Sequence, residues 1–269
     1  MSRYTYGDSD LAAERLGLVA SMFERTTEAF VRQVVREPSG LVLDLGCGPG
    51  YTTRLLHRVT GAVRTIGMDR SRSFLEAARA GAPAGVGFVE HDATRVPFPT
   101  GPADLVYARL LLAHLPDPED VCRRWSTMLT IGGSLLLDDL EAIDAPEPVF
   151  RAYLDDVAVV VVRAQGGHLF VGPILHTMVD PEGTDRLHDE IAAFSPPPRV
   201  TARVFGMNLA VLIERGEIPE RRDLSQALGA IARGERSARP ATWHVRQIAL
   251  RRRGSWIPAA GRLRPGSPR

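Results

Sequence analysis

Lysine is absent from this sequence, because all 33 positions counted as lysine or arginine are arginine. The absence excludes a Schiff-base lysine, a phosphate-loop lysine and the lysine of a protein kinase. It points to no activity of its own, since the arginine guanidinium stays protonated and cannot replace an amine in catalysis. We attribute it to coding bias.

Cysteine is scarce, and long hydrophobic runs are lacking. Cys47 and Cys122 have no paired spacing, which excludes a disulfide framework and a structural zinc site and favours a reducing compartment. The most apolar run, 157–162, is far shorter than the roughly 20 residues that cross a bilayer, and no signal-peptide pattern is present. We therefore expect a soluble, cytoplasmic protein that makes no membrane contact and binds no metal.

Charge is balanced overall, with a formal net charge of +1 and 24% charged residues. This balance gives no general attraction to nucleic acid. The arginines are unevenly placed, however, and we interpret 253–269 as a basic, disordered tail. Clustered arginines bind phosphate backbones, so nucleic-acid binding stays open as a disfavoured alternative.

Between residues 41 and 140, short β-rich runs alternate with helical patterns, which predicts a parallel sheet in a Rossmann-like, doubly wound α/β fold. The predicted strands are 41–45, 63–68, 86–90, 104–107 and 134–137. The predicted helices between them are 51–60, 71–80 and 118–129.

The flanking regions follow other patterns. A helix predicted over 8–36 is placed to cover a pocket at the sheet edge. Beyond the sheet we predict helices over 147–165, 184–193 and 223–233 and closing strands over 200–205 and 243–250. The expected domains are 1–37 (capping helix), 38–144 (core), 145–199 (helical cap insertion), 200–252 (closing strands with inserted helices) and 253–269 (tail).

Three closely spaced glycines follow the first predicted strand and precede a helix. Gly46, Gly48 and Gly50 let the backbone turn sharply and approach a ligand. Their G-x-G-x-G spacing differs from the G-x-G-x-x-G of dinucleotide sites. Asp44 precedes them, and its carboxylate would repel a pyrophosphate but suits an ammonium group. The alternative is that Asp44 only caps a turn.

Asp69 ends the second predicted strand, nineteen residues after Gly50, where an acid reaches ribose hydroxyls. The alternative is that Asp69 caps the helix that begins near Ser71. Arg70 beside it would suit the 2′-phosphate of NADP, a minority interpretation because Asp69 would repel that phosphate.

Asp92 and Ala93 follow the third predicted strand, where a carboxylate and a backbone N–H can contact an adenine ring. Alone, an Asp at this position is usually a turn residue. Together with Asp44 and Asp69 at neighbouring strand ends, it predicts a third contact in one nucleoside pocket.

With these residues the chain resembles the class I S-adenosylmethionine-dependent methyltransferases, over residues 38 to 141. The resemblance implies S-adenosylmethionine as cofactor and a seven-stranded sheet, mostly parallel with one antiparallel strand, plus a helical cap. It makes 44–50 the donor loop, Asp69 the ribose acid and 91–93 the adenine clamp. The start of the chain, with Tyr4 as a donor contact, resembles the capping helix of bacterial small-molecule methyltransferases.

Methyl transfer needs alignment, exclusion of water and an unprotonated acceptor more than it needs catalytic side chains. His114 is the candidate base, because its ordinary pKa near 6.5 suits proton removal at neutral pH. The alternative is a packed structural histidine. Arg109 is a candidate for orienting the acceptor and contacting the donor, or for pairing with a neighbouring carboxylate.

The expected function is methyl transfer to oxygen, nitrogen or carbon of a small organic metabolite, with natural-product biosynthesis as one setting. Apolar residues of the cap suggest an apolar acceptor cavity, with ordinary core packing as the alternative. They are Phe150, Tyr153, Phe170, Met178, Phe194 and Met207. An NAD(P)-dependent oxidoreductase and a methyltransferase fold repurposed for other chemistry stay as alternatives, and a homodimer is left open.

Overall fold

A single seven-stranded sheet organises the chain, with helices on both faces. The computed structural model describes residues 10–37, 39–165 and 168–254. The strands are β1 Leu41–Leu45, β2 Arg64–Asp69, β3 Val86–Glu90, β4 Ala103–Arg109, β5 Leu129–Asp144, β6 Thr184–Phe194 and β7 Thr242–Arg252. The helices are α1 Asp10–Val34, α2 Tyr51–Thr60, α3 Arg72–Arg79, α4 Pro118–Ser126, α5 Pro148–Gln165, α6 Gly172–Thr177, α7 Pro198–Glu214 and α8 Arg222–Arg233.

The strand order is β3-β2-β1-β4-β5-β7-β6. Strands β1 to β5 pair in parallel, whereas β7 is antiparallel to both of its neighbours, β5 and β6. This confirms the predicted Rossmann-like fold class, including its one antiparallel strand. The strand order reverses between β1 and β4, and the carboxyl ends of strands at such a point are where ligands bind in open α/β sheets.

Two of the predicted elements are wrong. The predicted helix 184–193 is strand β6, and the predicted strand 200–205 lies within α7. Pro198 begins α7 at a position where its missing N–H costs nothing, and the helix buries Phe205 and Leu209 one turn apart. The predicted helical cap 145–199 therefore contains an edge strand of the main sheet.

Helix α5 contains the apolar run 157–162, as the predicted helix over 147–165 requires. Val157 and Val160 are buried in a core shared with α7 and α8. The lower helix propensity of a β-branched residue costs only a few tenths of a kcal/mol. Burial of a single methylene group is enough to offset that cost, so burial decides the conformation here. Among the described residues, no helix is both long enough and apolar enough to cross a bilayer.

A buried polar network ties α1 to the sheet. Asp138 of β5 is fully buried and accepts hydrogen bonds from the Tyr107 hydroxyl at 2.6 Å, from Thr27 Oγ1 at 2.9 Å and from Gln247 Nε2 at 3.2 Å. Burial, with the charge of Asp138, raises the pKa of Tyr107 well above its usual value, so the phenol keeps the proton that it donates. These bonds offset the cost of burying a carboxylate and fix α1 above the sheet.

We expect Tyr107→Phe to lower the free energy of unfolding by about 1–3 kcal/mol, because Asp138 loses its shortest hydrogen bond inside the core. Urea unfolding followed by circular dichroism measures this. Tyr51→Phe is the matched control at a tyrosine that is 45% exposed, and it should change stability by less than about 0.5 kcal/mol. Equal stability of the two variants would show that the network contributes nothing.

Candidate functional site

A cavity of about 530 Å³ lies at the carboxyl ends of the central strands. We name two parts of its wall by their residues. The strand-end wall comprises Asp44, Gly46, Gly48, Asp69, Arg70, Asp92 and Ala93. The aromatic wall comprises Tyr153, Val157, Phe205, Asn208 and Trp243. The structure thus brings the three predicted carboxylates together around one hollow.

The glycine loop forms the bend between β1 and α2. Gly46 and Gly48 line the cavity with φ angles of +67° and +51°, which favour glycine. Gly50, predicted as a donor contact, is not part of the cavity wall. It is the N-cap of α2 with φ +78°, and a Cβ atom there would lie 2.6 Å from Phe88 Cζ. Its role is close packing of the loop against β3.

Asp69 connects the end of β2 to the glycine loop. One carboxylate oxygen accepts from the Gly48 N–H at 2.8 Å and the other from the Ser71 N–H at 2.9 Å. Ser71, and not Asp69, caps α3 by accepting from the Phe74 N–H at 3.3 Å. Burial raises the pKa of Asp69, although these backbone bonds oppose the shift. A carboxylate has about four acceptor positions, so Asp69 retains capacity for ligand hydroxyls.

Asp44 is buried at the base of the cavity, 2% exposed, and accepts a hydrogen bond from Thr53 Oγ1 at 2.6 Å. Burial raises its pKa to about 7, against the opposing effects of this bond and of the Arg109 charge. A cation beside Asp44 would favour its ionised form, because an opposite charge lowers the pKa of a carboxyl group. The site therefore suits a positively charged ligand group.

Asp92 both stabilises a turn and lines the cavity. Its Oδ1 accepts from the Thr94 N–H at 2.9 Å and from the Thr94 hydroxyl at 2.8 Å. Burial opposes ionisation of Asp92, but these bonds and the nearby arginine charges hold its pKa below the usual value. The Ala93 carbonyl accepts from Trp125 Nε1 at 2.7 Å, which fixes the segment in place.

Arg109 ends β4 between the first two helices. Its guanidinium donates to Thr52 Oγ1 at 2.6 Å and to Thr27 Oγ1 at 3.2 Å, and it lies over the Phe23 ring at 5.4 Å. The side-chain hydrogen-bond partners of Arg109 are therefore hydroxyl groups, and not the neighbouring carboxylate considered as the alternative. The arginine lines the cavity and joins α1 and α2 there.

His114 lies half-buried in the cavity wall, at the end of a short 3₁₀ turn, Leu112–His114. The turn is held by Asp139, whose carboxylate accepts from the Leu112 N–H at 3.2 Å. Asp139 also lines the cavity, and burial raises its pKa to about 7. Leu110, which precedes the turn, has φ +52°, a conformation that is rare outside glycine and often found at functional sites.

Helix α1, predicted to cover the pocket, contributes Arg15, Leu16, Val19 and Ala20 to the lining of the cavity. Tyr4 lies outside the described residues. Of the six apolar cap residues proposed for the cavity, only Tyr153 lines it. The other residues of the aromatic wall were missed because no local spacing marks them.

Metal ligation finds no support in the part of the chain that the structure describes. Within 10–37, 39–165 and 168–254, no group of three or more His, Cys, Asp or Glu side chains is placed to hold an ion.

The sequence and the fold were compared with known proteins. Residues 42–133 match the family described as the methyltransferase domain. Trans-aconitate 2-methyltransferase of Rhizobium etli is 38% identical over 125 residues, which are 46% of this chain and 48% of that protein. The chain thus spans about half the length of the curated relatives it matches.

Two solved structures show the same fold. A protein of Bacillus halodurans C-125 assigned to the methyltransferases has a TM-score of 0.58 at 17% identity, over 85% of this chain and all (100%) of that one. Coclaurine N-methyltransferase, bound to N-methylheliamine and S-adenosylhomocysteine, has a TM-score of 0.52 at 15% identity, over 85% of this chain and 72% of that one.

We expect Gly50→Ala to destabilise the protein by about 1–3 kcal/mol more than Gly81→Ala, because a rigid, buried Phe88 ring blocks the new methyl group. Gly81 is the matched control, since its φ of +72° imposes the same backbone strain while no atom lies within 4 Å of the added Cβ. Urea unfolding of both variants measures the difference. Equal losses would contradict the packing role of Gly50.

Proposed function

We propose that this chain transfers a methyl group to oxygen, nitrogen or carbon of a small organic molecule. Its residues 42–133 match the methyltransferase domain family, and its fold is that of solved methyltransferase structures. One observation carries the proposal. Asp44, Asp69 and Asp92 line a single cavity beside a glycine loop with left-handed backbone.

S-adenosylmethionine is the cofactor, and the strand-end wall fits its parts. We assign the ribose hydroxyls to Asp69 and the adenine ring to Asp92 and Ala93, with Arg70 at the rim. The amino-acid end lies against Gly46 and Gly48, where the charge of Asp44 favours its ammonium group. Arg109 holds α1 and α2 around this end.

The cofactor supplies an electrophilic methyl group when it is bound. The residues of the chain align the acceptor, exclude water and take up a proton. Helix α1 covers the cavity and excludes water, which strengthens the electrostatic interactions inside. We assign His114 as the base that receives the acceptor proton, and Asp139 as the residue that positions its turn through the Leu112 N–H.

The remaining alternatives have less support. The glycine spacing and the methyltransferase relatives disfavour an NAD(P)-dependent oxidoreductase. The basic tail that motivated nucleic-acid binding begins at 253 and lies almost entirely outside the described residues. Both cysteines are free and buried, which supports our proposal of a reducing, cytoplasmic location. A role in biosynthesis belongs to the same proposal.

We expect Asp69→Ala to weaken S-adenosylhomocysteine binding by about 1–3 kcal/mol, or roughly 5- to 150-fold, through loss of charge-assisted hydrogen bonds. Isothermal titration calorimetry measures it. Glu90→Gln is the control at the end of the neighbouring strand, where the carboxylate pairs with Arg72 in solvent, and its affinity should equal that of the unmodified protein. The proposed function fails if the unmodified protein binds NADP but not S-adenosylhomocysteine.

We expect His114→Gln to lower kcat by about 10²- to 10⁴-fold on an acceptor found by screening for S-adenosylhomocysteine release, because the acceptor keeps its proton. Affinity for S-adenosylhomocysteine should not change. Unchanged turnover would make His114 a structural residue.

A further inference from the structure

The aromatic wall is a rigid surface contributed by three separate elements. Tyr153 of α5 stacks on Phe205 of α7, with ring centroids 4.0 Å apart and 19° between the ring planes. Phe205 also packs against Trp243 of β7, at 5.8 Å between centroids. All three side chains are at least 95% buried and all line the cavity. Such a surface is preformed for a flat or bulky apolar group.

Two polar atoms in this wall lack a hydrogen-bond partner among the described residues. They are Trp243 Nε1 and Asn208 Oδ1, both buried. The Asn208 amide nitrogen donates to the Tyr153 hydroxyl at 2.7 Å. Exchanging the oxygen and nitrogen of this amide would leave the nitrogen unpaired instead, so one polar atom of Asn208 is unsatisfied in either orientation. Buried polar atoms are normally paired, so two orphans in one wall indicate hydrogen-bond partners that the chain itself does not supply.

The aromatic wall carries no charged side chain. The arginines that line other parts of the cavity have partners within the protein, and those of Arg109 are neutral hydroxyl groups. Arg215 lies 3.9 Å from Glu217, and Arg109 donates to two threonine hydroxyls. Arg15 interacts within the protein as well. None of these arginines is part of the aromatic wall, so an anionic group lying against its rings would have no cation within the wall itself.

We propose that the aromatic wall binds the methyl acceptor, and that this acceptor is an uncharged, largely apolar molecule whose hydroxyl or carbonyl group pairs with Trp243 and Asn208. This inference rests on the proposed function and names the substrate class of the same site. The indole N–H donates to the acceptor's oxygen, and the Asn208 amide oxygen accepts from its hydroxyl. A tricarboxylate such as trans-aconitate would leave charge against apolar rings without compensation.

Binding of matched probes to the full chain saturated with S-adenosylhomocysteine tests the proposal. The probes are 2-naphthol, 2-methylnaphthalene, which replaces the hydroxyl with a methyl group, and trans-aconitate. Equilibrium dialysis gives each affinity. We expect 2-naphthol to bind about tenfold more tightly than 2-methylnaphthalene, because only the hydroxyl satisfies the orphan atoms. Trans-aconitate should not displace 2-naphthol.

Two variants locate this preference. Trp243→Phe and Asn208→Leu each remove one orphan polar atom but keep apolar volume in the wall. Each should bring the ratio of the affinities for 2-naphthol and 2-methylnaphthalene closer to one. Unchanged affinity for S-adenosylhomocysteine in the variants shows that the fold is intact. Two variants are needed because Trp243 also packs against Phe23 and Phe194.

The outcomes separate the two proposals. If the unmodified protein does not bind S-adenosylhomocysteine, the proposed function fails. If it does bind S-adenosylhomocysteine, four results overturn the acceptor proposal alone. These are that neither naphthalene binds, that both bind equally, that the variants keep the preference for 2-naphthol, or that trans-aconitate displaces 2-naphthol.

Discussion

Parallel alignment of the central strands is the constraint from which the site follows. The register pairs Leu45 of β1 with Met68 of β2 and with Ala108 of β4, and it pairs Asp69 with Glu90 of β3. Strands that run in one direction end at one edge, so the segments after them begin side by side. Residues far apart in sequence therefore line one cavity because of where their strands end, and they need no direct contact with one another.

This arrangement has an electrostatic cost that the ligand can relieve. Asp44 is buried and Asp69 is half-buried, and the charge of Asp69 adds to the effect of burial on the raised pKa of Asp44. Arg109 offsets part of this cost by its charge. In the proposed donor site, a sulfonium ligand with an ammonium group would add positive charge near these carboxylates, and the thioether product would carry one positive charge less. The proposed site would then favour exchange of the product for fresh donor.

Local spacing was sufficient to predict the strand-end wall, because each residue there is tied to the end of a predicted strand. Asp69 and Asp92 were found by their distance from such ends. The sequence did not reveal that Gly50 packs on Phe88, since that contact joins the glycine loop to the middle of β3 in space. Strand β6 was mistaken for a helix because Thr184–Phe194 contains good helix formers, and pairing along β7 overrides their propensity.

The aromatic wall was beyond sequence reasoning for a deeper physical reason. Tyr153, Asn208 and Trp243 come from α5, α7 and β7, and only tertiary packing brings them together. The family match ends at residue 133, before all three of them. The proposed donor half of the cavity thus comes mainly from the matched domain, and the proposed acceptor half comes from segments outside it. A match to the domain alone therefore does not identify the acceptor, whose chemistry has to be inferred from the aromatic wall.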